Sequence, residues 1–230
     1  MPFTAPQKKK SALLSRDNWI ICCKFNTKSV KCVKISAVCN VDMKKITGYV
    51  RTKKLREMGF SSRQVRSLAE QGHIIRLKQG LYRNANMCLQ DQGFVDVCYA
   101  MSYAVISGFS ALSYYGLTTH IPTEITVSVP REKIAARLIY PPVSVIRQDM
   151  SRYSKNISRE RRGRYVFRIF DIEKTVCDAV KYRKKIGMDI VKEALREYLK
   201  MRDKNLPKLY ETAKKCRVFD VLNEMLTLMM

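Results

Sequence analysis

The fold is decided by residues 52–84, which read TKKLREMGFSSRQVRSLAEQGHIIRLKQGLYRN. Thr52 can cap a short helix over Lys53–Met58, because its hydroxyl can accept hydrogen bonds from unpaired amides of the first turn. Gly59 follows where a helix commonly ends in a residue of left-handed conformation. This stretch therefore predicts one short helix that stops at a glycine turn.

A second, amphipathic helix is predicted from Ser61 to Gln71. Gln64 stands three residues after Ser61, which is the spacing of a capping box. Val65 and Leu68 share one apolar face, so the helix can bury that face and expose the other.

A β-hairpin is predicted directly after the second helix. Ile74–Leu77 and Leu81–Arg83 flank a Lys-Gln-Gly turn, which is typical of two short strands joined tightly. Helix, short turn, second helix and hairpin is the order of a winged helix-turn-helix, which we place at residues 43–86.

The second helix carries polar side chains suited to reading DNA. Arginine can bond guanine and glutamine can bond adenine in the major groove, while lysines on flanking elements contact phosphates. The candidate DNA-binding residues are Ser62, Arg63, Gln64, Arg66 and Ser67 on this helix, Arg76 and Lys78 on the wing, and Lys53 and Lys54 on the first helix. The alternative is a solvated basic face, or a helix-turn-helix that binds only protein.

Residues 93–230 predict a mixed α/β domain with a helical C-terminal end, which makes the whole chain α+β. Alternating or apolar segments predict strands, and amphipathic segments with caps predict helices. The predicted strands are Glu124–Val129, Val143–Ile146 and Tyr165–Phe170. The predicted helices include Phe94–Tyr103, Ala111–Tyr115, a helix capped by Asp171 through Arg183, one reaching Met201, Leu206–Lys215 and Phe219–Met229.

Residues 1–42 read poorly as structure and contain a basic cluster at Lys8–Lys10. Two interpretations stay open. Translation can start at Met43, which would make this segment a non-native upstream extension, or the segment is a flexible basic arm that adds affinity for nucleic acid.

Charge is the strongest feature of the composition. The chain has 230 residues, with 44 Lys and Arg against 20 Asp and Glu, for a net charge of +24. Such a charge indicates a polyanionic partner, most often nucleic acid, although an acidic protein or an anionic membrane surface would also satisfy it.

The sequence gives no reason to expect a membrane segment, a metal or a cofactor. It contains no apolar run of about 18 residues. Its eight cysteines form no C-x-x-C pair, so reduced thiols in a cytoplasmic protein are expected rather than a zinc site.

Two basic clusters in the C-terminal domain are candidates for a partner surface. The first contains Arg159, Arg161, Arg162 and Arg164, and the second contains Lys192, Arg196 and Lys200 at helical spacing. The equally weighted alternative is a solvated face balanced by Glu193 and Glu197.

An enzyme is not expected. Asp171, Glu173, Lys174 and Asp178 invite comparison with metal-dependent nucleases, which place such residues on adjacent strands. Here Asp171 is better interpreted as a helix N-cap, and Lys174 and Asp178 as an i, i+4 pair.

Several of these motifs occur in the order found in AbiEi antitoxins of bacterial type IV toxin–antitoxin systems. Residues 48–82 resemble the N-terminal winged helix of that family. The segment Ile106–Leu117, with SGFSALSYYGL, the strand Glu124–Arg131 and the segment Tyr165–Asp178, with FDIEKTVCD, are similar to later family motifs.

The resemblance implies an autorepressor that binds operator DNA and opposes a nucleotidyltransferase-like toxin, with no stable complex required. Two alternatives stay open: an orphan DNA-binding regulator of a mobile element without a toxin, and a nuclease-like enzyme with a fused DNA-binding module. Residues 1–40 and 205–230 match nothing in the family pattern.

Overall fold

The computed structural model of the protein describes residues 46–229. The predictions for residues 1–42 lie outside this range. Within it, helices accompany one three-stranded and one five-stranded sheet, which confirms the predicted α+β class.

Residues 46–85, called here the N-terminal unit, consist of a helix pair and a three-stranded antiparallel sheet. The strands have the order β1-β3-β2. The elements are β1 (Tyr49–Arg51), α1 (Thr52–Glu57), α2 (Ser62–Glu70), β2 (Ile74–Lys78) and β3 (Leu81–Asn84). The buried apolar residues of this unit include Leu55, Phe60, Val65, Leu68, Ile74 and Leu77, each at most 6% exposed.

Both helices of this unit end at glycines. Gly59 and Gly72 have φ of 88° and 76°, and the amide of the residue after each glycine bonds a carbonyl five residues earlier. This arrangement satisfies carbonyls that a helix end leaves unpaired, and glycine adopts the required conformation without a steric penalty. The predicted stop at Gly59 is confirmed.

The structure confirms one of the two predicted helix starts and corrects the other. Ser61 and Gln64 form the complete predicted capping box. Thr52, however, is the first residue of α1 and not its cap; Arg51 occupies the N-cap position without a side-chain cap. The reason is that β1 runs directly into α1, and the Thr52 amide is already bonded by the Gly80 carbonyl at 3.0 Å.

The five-stranded sheet has the order β6-β5-β4-β8-β7. Strands β5 and β6 are parallel, as are β4 and β8, and the remaining neighbours are antiparallel. The strands are β4 (Val105–Ile106), β5 (Ile125–Pro130), β6 (Val143–Gln148), β7 (Ile157–Arg162) and β8 (Tyr165–Phe170), with helices α3 (Gln92–Ala100), α4 (Gly108–Tyr114) and α5 (Met150–Tyr153).

The last third of the described chain is helical, as predicted. It contains α6 (Ile172–Lys181), α7 (Arg183–Ile186), α8 (Met188–Lys200), α9 (Leu206–Cys216) and α10 (Phe219–Thr227). These helices share a second large core with α4, built around buried residues such as Leu112, Val176, Leu195, Leu209 and Leu222.

Three strands were missed by the sequence predictions, namely β1, β4 and β7. The predicted helix Phe94–Tyr103 is shifted, because α3 begins at Gln92 and ends at Ala100. Within residues 46–229, no helix is both long enough and apolar enough to cross a membrane.

Candidate nucleic-acid interface

Helix α2 presents its polar face to solvent. Val65 and Leu68 are buried, which fixes the rotation of the helix and leaves Ser62, Arg63 and Arg66 exposed. Arg66 Nε lies 2.9 Å from Glu70 Oε1, with both side chains more than half exposed. An ion pair of this kind is worth at most about 1 kcal/mol, so Arg66 can exchange it for another anion.

The two other predicted residues of α2 are half-buried and already bonded. The Gln64 Oε1 atom accepts the Ser61 amide at 2.8 Å, as the capping box requires. The Ser67 hydroxyl accepts Gln71 Nε2 at 2.9 Å. Gln64 therefore retains its amide donors, but its carbonyl oxygen already accepts one hydrogen bond and has only its second lone pair left for adenine.

The remaining predicted residues of the N-terminal unit also fall into two groups, those that are exposed and those that are half-buried and already bonded. Lys53, Lys54 and Arg76 are exposed, although Lys54 lies 3.4 Å from Glu57. Lys78 is half-buried, and its ammonium donates to the Ala100 carbonyl at 2.5 Å. Lys78 therefore joins the end of β2 to the C-terminus of α3.

Sequence reasoning missed a buried charge pair beneath this surface. Arg83 Nε of β3 lies 3.1 Å from Asp96 Oδ1 of α3, with side chains 6% and 0% exposed. Tyr49 and Gln92 donate to the same carboxylate oxygen at 2.6 and 2.7 Å. Burial raises the pKa of Asp96, although these donors and the guanidinium favour its charged form.

Nothing in the local sequence signals the Arg83–Asp96 pair, because its members stand thirteen residues apart and belong to different elements. Exposed Arg51 and Arg56 extend the basic surface beside Lys53. Arg51 was not among the predicted DNA-binding residues, because β1 was not predicted.

The first C-terminal basic cluster is split by the strand it occupies. Arg159 and Arg161 are exposed on one face of β7, whereas Arg162 turns to the other face and contacts Asp91 at 2.9 Å. The Tyr114 hydroxyl accepts a hydrogen bond from Arg162 at 3.0 Å. Arg164 stands after the β-turn, where its guanidinium donates to the Tyr165 hydroxyl at 2.9 Å. The four arginines do not form one surface.

The second cluster forms the predicted stripe. Lys192, Arg196 and Lys200 are all exposed on α8, and Lys200 lies 2.6 Å from Glu197. Glu193 does not balance this stripe, because its carboxylate accepts the Thr118 hydroxyl at 2.9 Å and the Thr119 amide at 2.8 Å.

The acidic residues near α6 hold the helical region together. The Asp171 side chain caps α6 by accepting the Lys174 amide at 2.8 Å, as predicted. Lys174 lies 2.5 Å from Asp178, and both side chains are at most 4% exposed, which confirms the predicted pair. Although burial opposes charge, Asp178 holds the pKa of Lys174 above its usual value.

Glu173 also has a structural partner. Lys208 of α9 bridges Asp171 and Glu173 at 2.9 and 2.8 Å. In the described part of the chain, no group of three His, Cys, Asp or Glu residues is arranged to hold a metal ion.

These features define a basic α+β protein whose N-terminal unit carries an exposed, cation-bearing helix. Residues 43–85 match a family model described as transcriptional regulator, AbiEi antitoxin. The match confirms the resemblance to the AbiEi family over that segment. No curated protein matches the chain.

Proposed function

We propose that the N-terminal unit is a winged helix-turn-helix and that the protein is a transcriptional autorepressor that binds its own operator DNA. The observation that carries this proposal is the exposed first turn of α2, with Arg63 free of the core, inside the segment that matches the AbiEi model. Helix N-termini favour phosphates, and recognition helices contact bases through their N-terminal residues.

The exposure of each side chain indicates whether it can read bases or contact phosphates. Arg63 and Arg66 are the base-reading candidates, because both guanidinium groups extend from the exposed face of α2. Arg76, Lys53 and Lys54 supply phosphate contacts that fix the register without reading sequence. Lys78 lies at the turn end of the hairpin and has donors left after its bond to Ala100, so it can contact a phosphate only where that turn meets the C-terminus of α3.

Replacement of Arg63 tests this proposal. We expect Arg63→Ala to cost about 1–3 kcal/mol of operator binding and to relax sequence preference at one position, because a base-edge contact is lost. The measurement is a gel-shift titration of the full chain on DNA upstream of its own gene, against a scrambled duplex, followed by binding-site selection.

The matched control is Arg202→Ala, which removes the same charge from an exposed position between α8 and α9. A uniform loss on all sequences for Arg63→Ala, equal to that of Arg202→Ala, would contradict base reading. Binding of the parent protein to operator and scramble with equal affinity would contradict the repressor assignment itself.

We propose further that the protein is the antitoxin of a nucleotidyltransferase-like toxin and opposes it without catalysing a reaction itself. The family match supports the antitoxin role, and the structural bonds of Asp171, Glu173 and Asp178 argue against a nuclease centre. Co-expression with a toxin encoded beside the gene tests the first statement. Failure to rescue growth would favour an orphan regulator, and metal-dependent DNA cleavage would favour the nuclease alternative.

A further inference from the structure

Strands β7 and β8 carry three arginines on the same open face. Arg159 stands directly opposite Arg168 in the antiparallel register, and Arg161 stands opposite Val166. Side chains of opposed residues lie on the same face of a sheet, and like charges there are destabilising. The face is open to solvent, since Val166 is 45% exposed.

This charge is not neutralised by the residues that the structure describes. Across residues 46–229, no carboxylate lies within ion-pair distance of Arg159, Arg161 or Arg168, whereas Arg162 on the opposite face is paired with Asp91 and Glu160. The same strand thus pairs its inward cation and leaves its outward cations free for an external anion.

Arg159, Arg161 and Arg168 line one open pocket of about 490 Å³, together with Cys98, Ser102 and Val166. This volume is within the range of small-molecule sites. The Arg168 guanidinium donates to the carbonyls of Ser102 and Ala104, which fixes one wall of the pocket before any ligand binds. A fixed guanidinium recognises an oxyanion at a smaller entropic cost.

We propose that this pocket binds a terminal phosphate monoester, carried by a free nucleotide or by the 5′ end of a nucleic-acid strand. The number of cations in the pocket indicates how much negative charge its ligand carries. A monoester carries a charge of about −1.5 to −2 at neutral pH, which suits three guanidinium groups better than the single charge of a carboxylate or an internal phosphodiester. The exposed side chain of Val166 offers an apolar contact for the attached sugar or base.

Isothermal titration of the full chain with AMP tests the proposal, with adenosine as the ligand lacking phosphate. We expect AMP to bind with a Kd below about 1 mM and adenosine to show no measurable binding. Arg161→Gln should weaken AMP binding at least about tenfold, whereas Arg202→Gln should change it less than about twofold. Both positions are exposed, so both variants should fold, and thermal unfolding checks this.

A 5′-phosphorylated trinucleotide and its 5′-hydroxyl counterpart distinguish the two sources of the monoester. Tighter binding of the phosphorylated trinucleotide than of AMP assigns the site to strand ends, and equal or weaker binding assigns it to free nucleotides. The proposal is overturned if no phosphorylated probe binds, if the 5′-hydroxyl strand binds equally well, or if Arg202→Gln weakens AMP binding as much as Arg161→Gln. Operator binding is measured separately, so its failure would leave this result intact.

Discussion

Glu193 shows how one side chain of α8 links the helix to the loop after α4. Hydrogen bonds from the Thr119 amide and the Thr118 hydroxyl lower the pKa of Glu193 below its usual value. A carboxylate whose folded pKa is depressed stabilises the fold above its unfolded pKa, and this contribution is lost as the pH falls through the folded pKa.

We therefore expect Glu193→Gln to reduce stability at neutral pH and to flatten its dependence on pH below about 4.3. The measurement is urea unfolding across a series of acidic buffers. Glu224→Gln, an exposed position on α10, is the matched control. Parallel pH profiles for the parent and Glu193→Gln would contradict this role.

Helix caps and helix stops, which depend on neighbouring residues, were the features of this structure that the sequence predicted best. The capping box at Ser61, the stop at Gly59 and the cap at Asp171 were all predicted, because each depends on residues a few positions apart. The Arg83–Asp96 pair was not, because neither residue's neighbours in sequence indicate its partner.

At the scale of elements, the segments with clear apolar periodicity were found and the others were missed. Strand β7 reads ISRERR, with arginines on both faces of an edge strand, so it lacks the alternation that marks a half-buried strand. Strand β4 has only two residues. Helix α3 begins early because Asp91 adopts φ of 56°, a conformation that no local signal predicted.

The start of α2 is an element-level feature that can be tested alone. Ser61→Ala should destabilise the protein by about 0.5–2 kcal/mol, because the amide of Gln64 loses its side-chain acceptor. Urea unfolding at constant pH measures this change.

Ser62→Ala is the control for Ser61→Ala, because Ser62 is exposed and is the first residue inside the helix. Equal losses for the two substitutions would show that the cap contributes nothing specific. Operator binding by Ser61→Ala should also weaken, since the same turn presents Arg63.

At the scale of the whole molecule, several contacts join the N-terminal unit to the later part of the chain. Besides Arg83 and Asp96, the contacts include Lys78 with the Ala100 carbonyl and the Ile139 amide with the Leu77 carbonyl at 2.7 Å. Tyr49 stacks on Tyr99 with ring centroids 4.0 Å apart. These contacts hold the unit against α3 and against the segment between β5 and β6 through both polar and aromatic groups.

We expect Asp96→Leu to cost about 3–5 kcal/mol, because it leaves the Arg83 guanidinium buried without its partner. The double variant Arg83→Met, Asp96→Leu should recover only part of that loss, because no charge remains buried but Tyr49 and Gln92 still lack their acceptor. Urea unfolding of the parent, the two single variants Arg83→Met and Asp96→Leu, and the double variant gives the coupling energy as a double-mutant cycle. A single-variant cost below about 1 kcal/mol would show that the pair is not effectively buried.

The Arg83–Asp96 pair also limits how this protein can diversify by recombination. A gene exchange that replaced only residues 46–85 would remove Arg83 and leave Asp96 beside a different residue, with or without a charge that can pair with it. A breakpoint after Asp96 would transfer both charges together. Descendants that acquire a different N-terminal segment should therefore inherit the first half of α3 with it, or lose both charges at once.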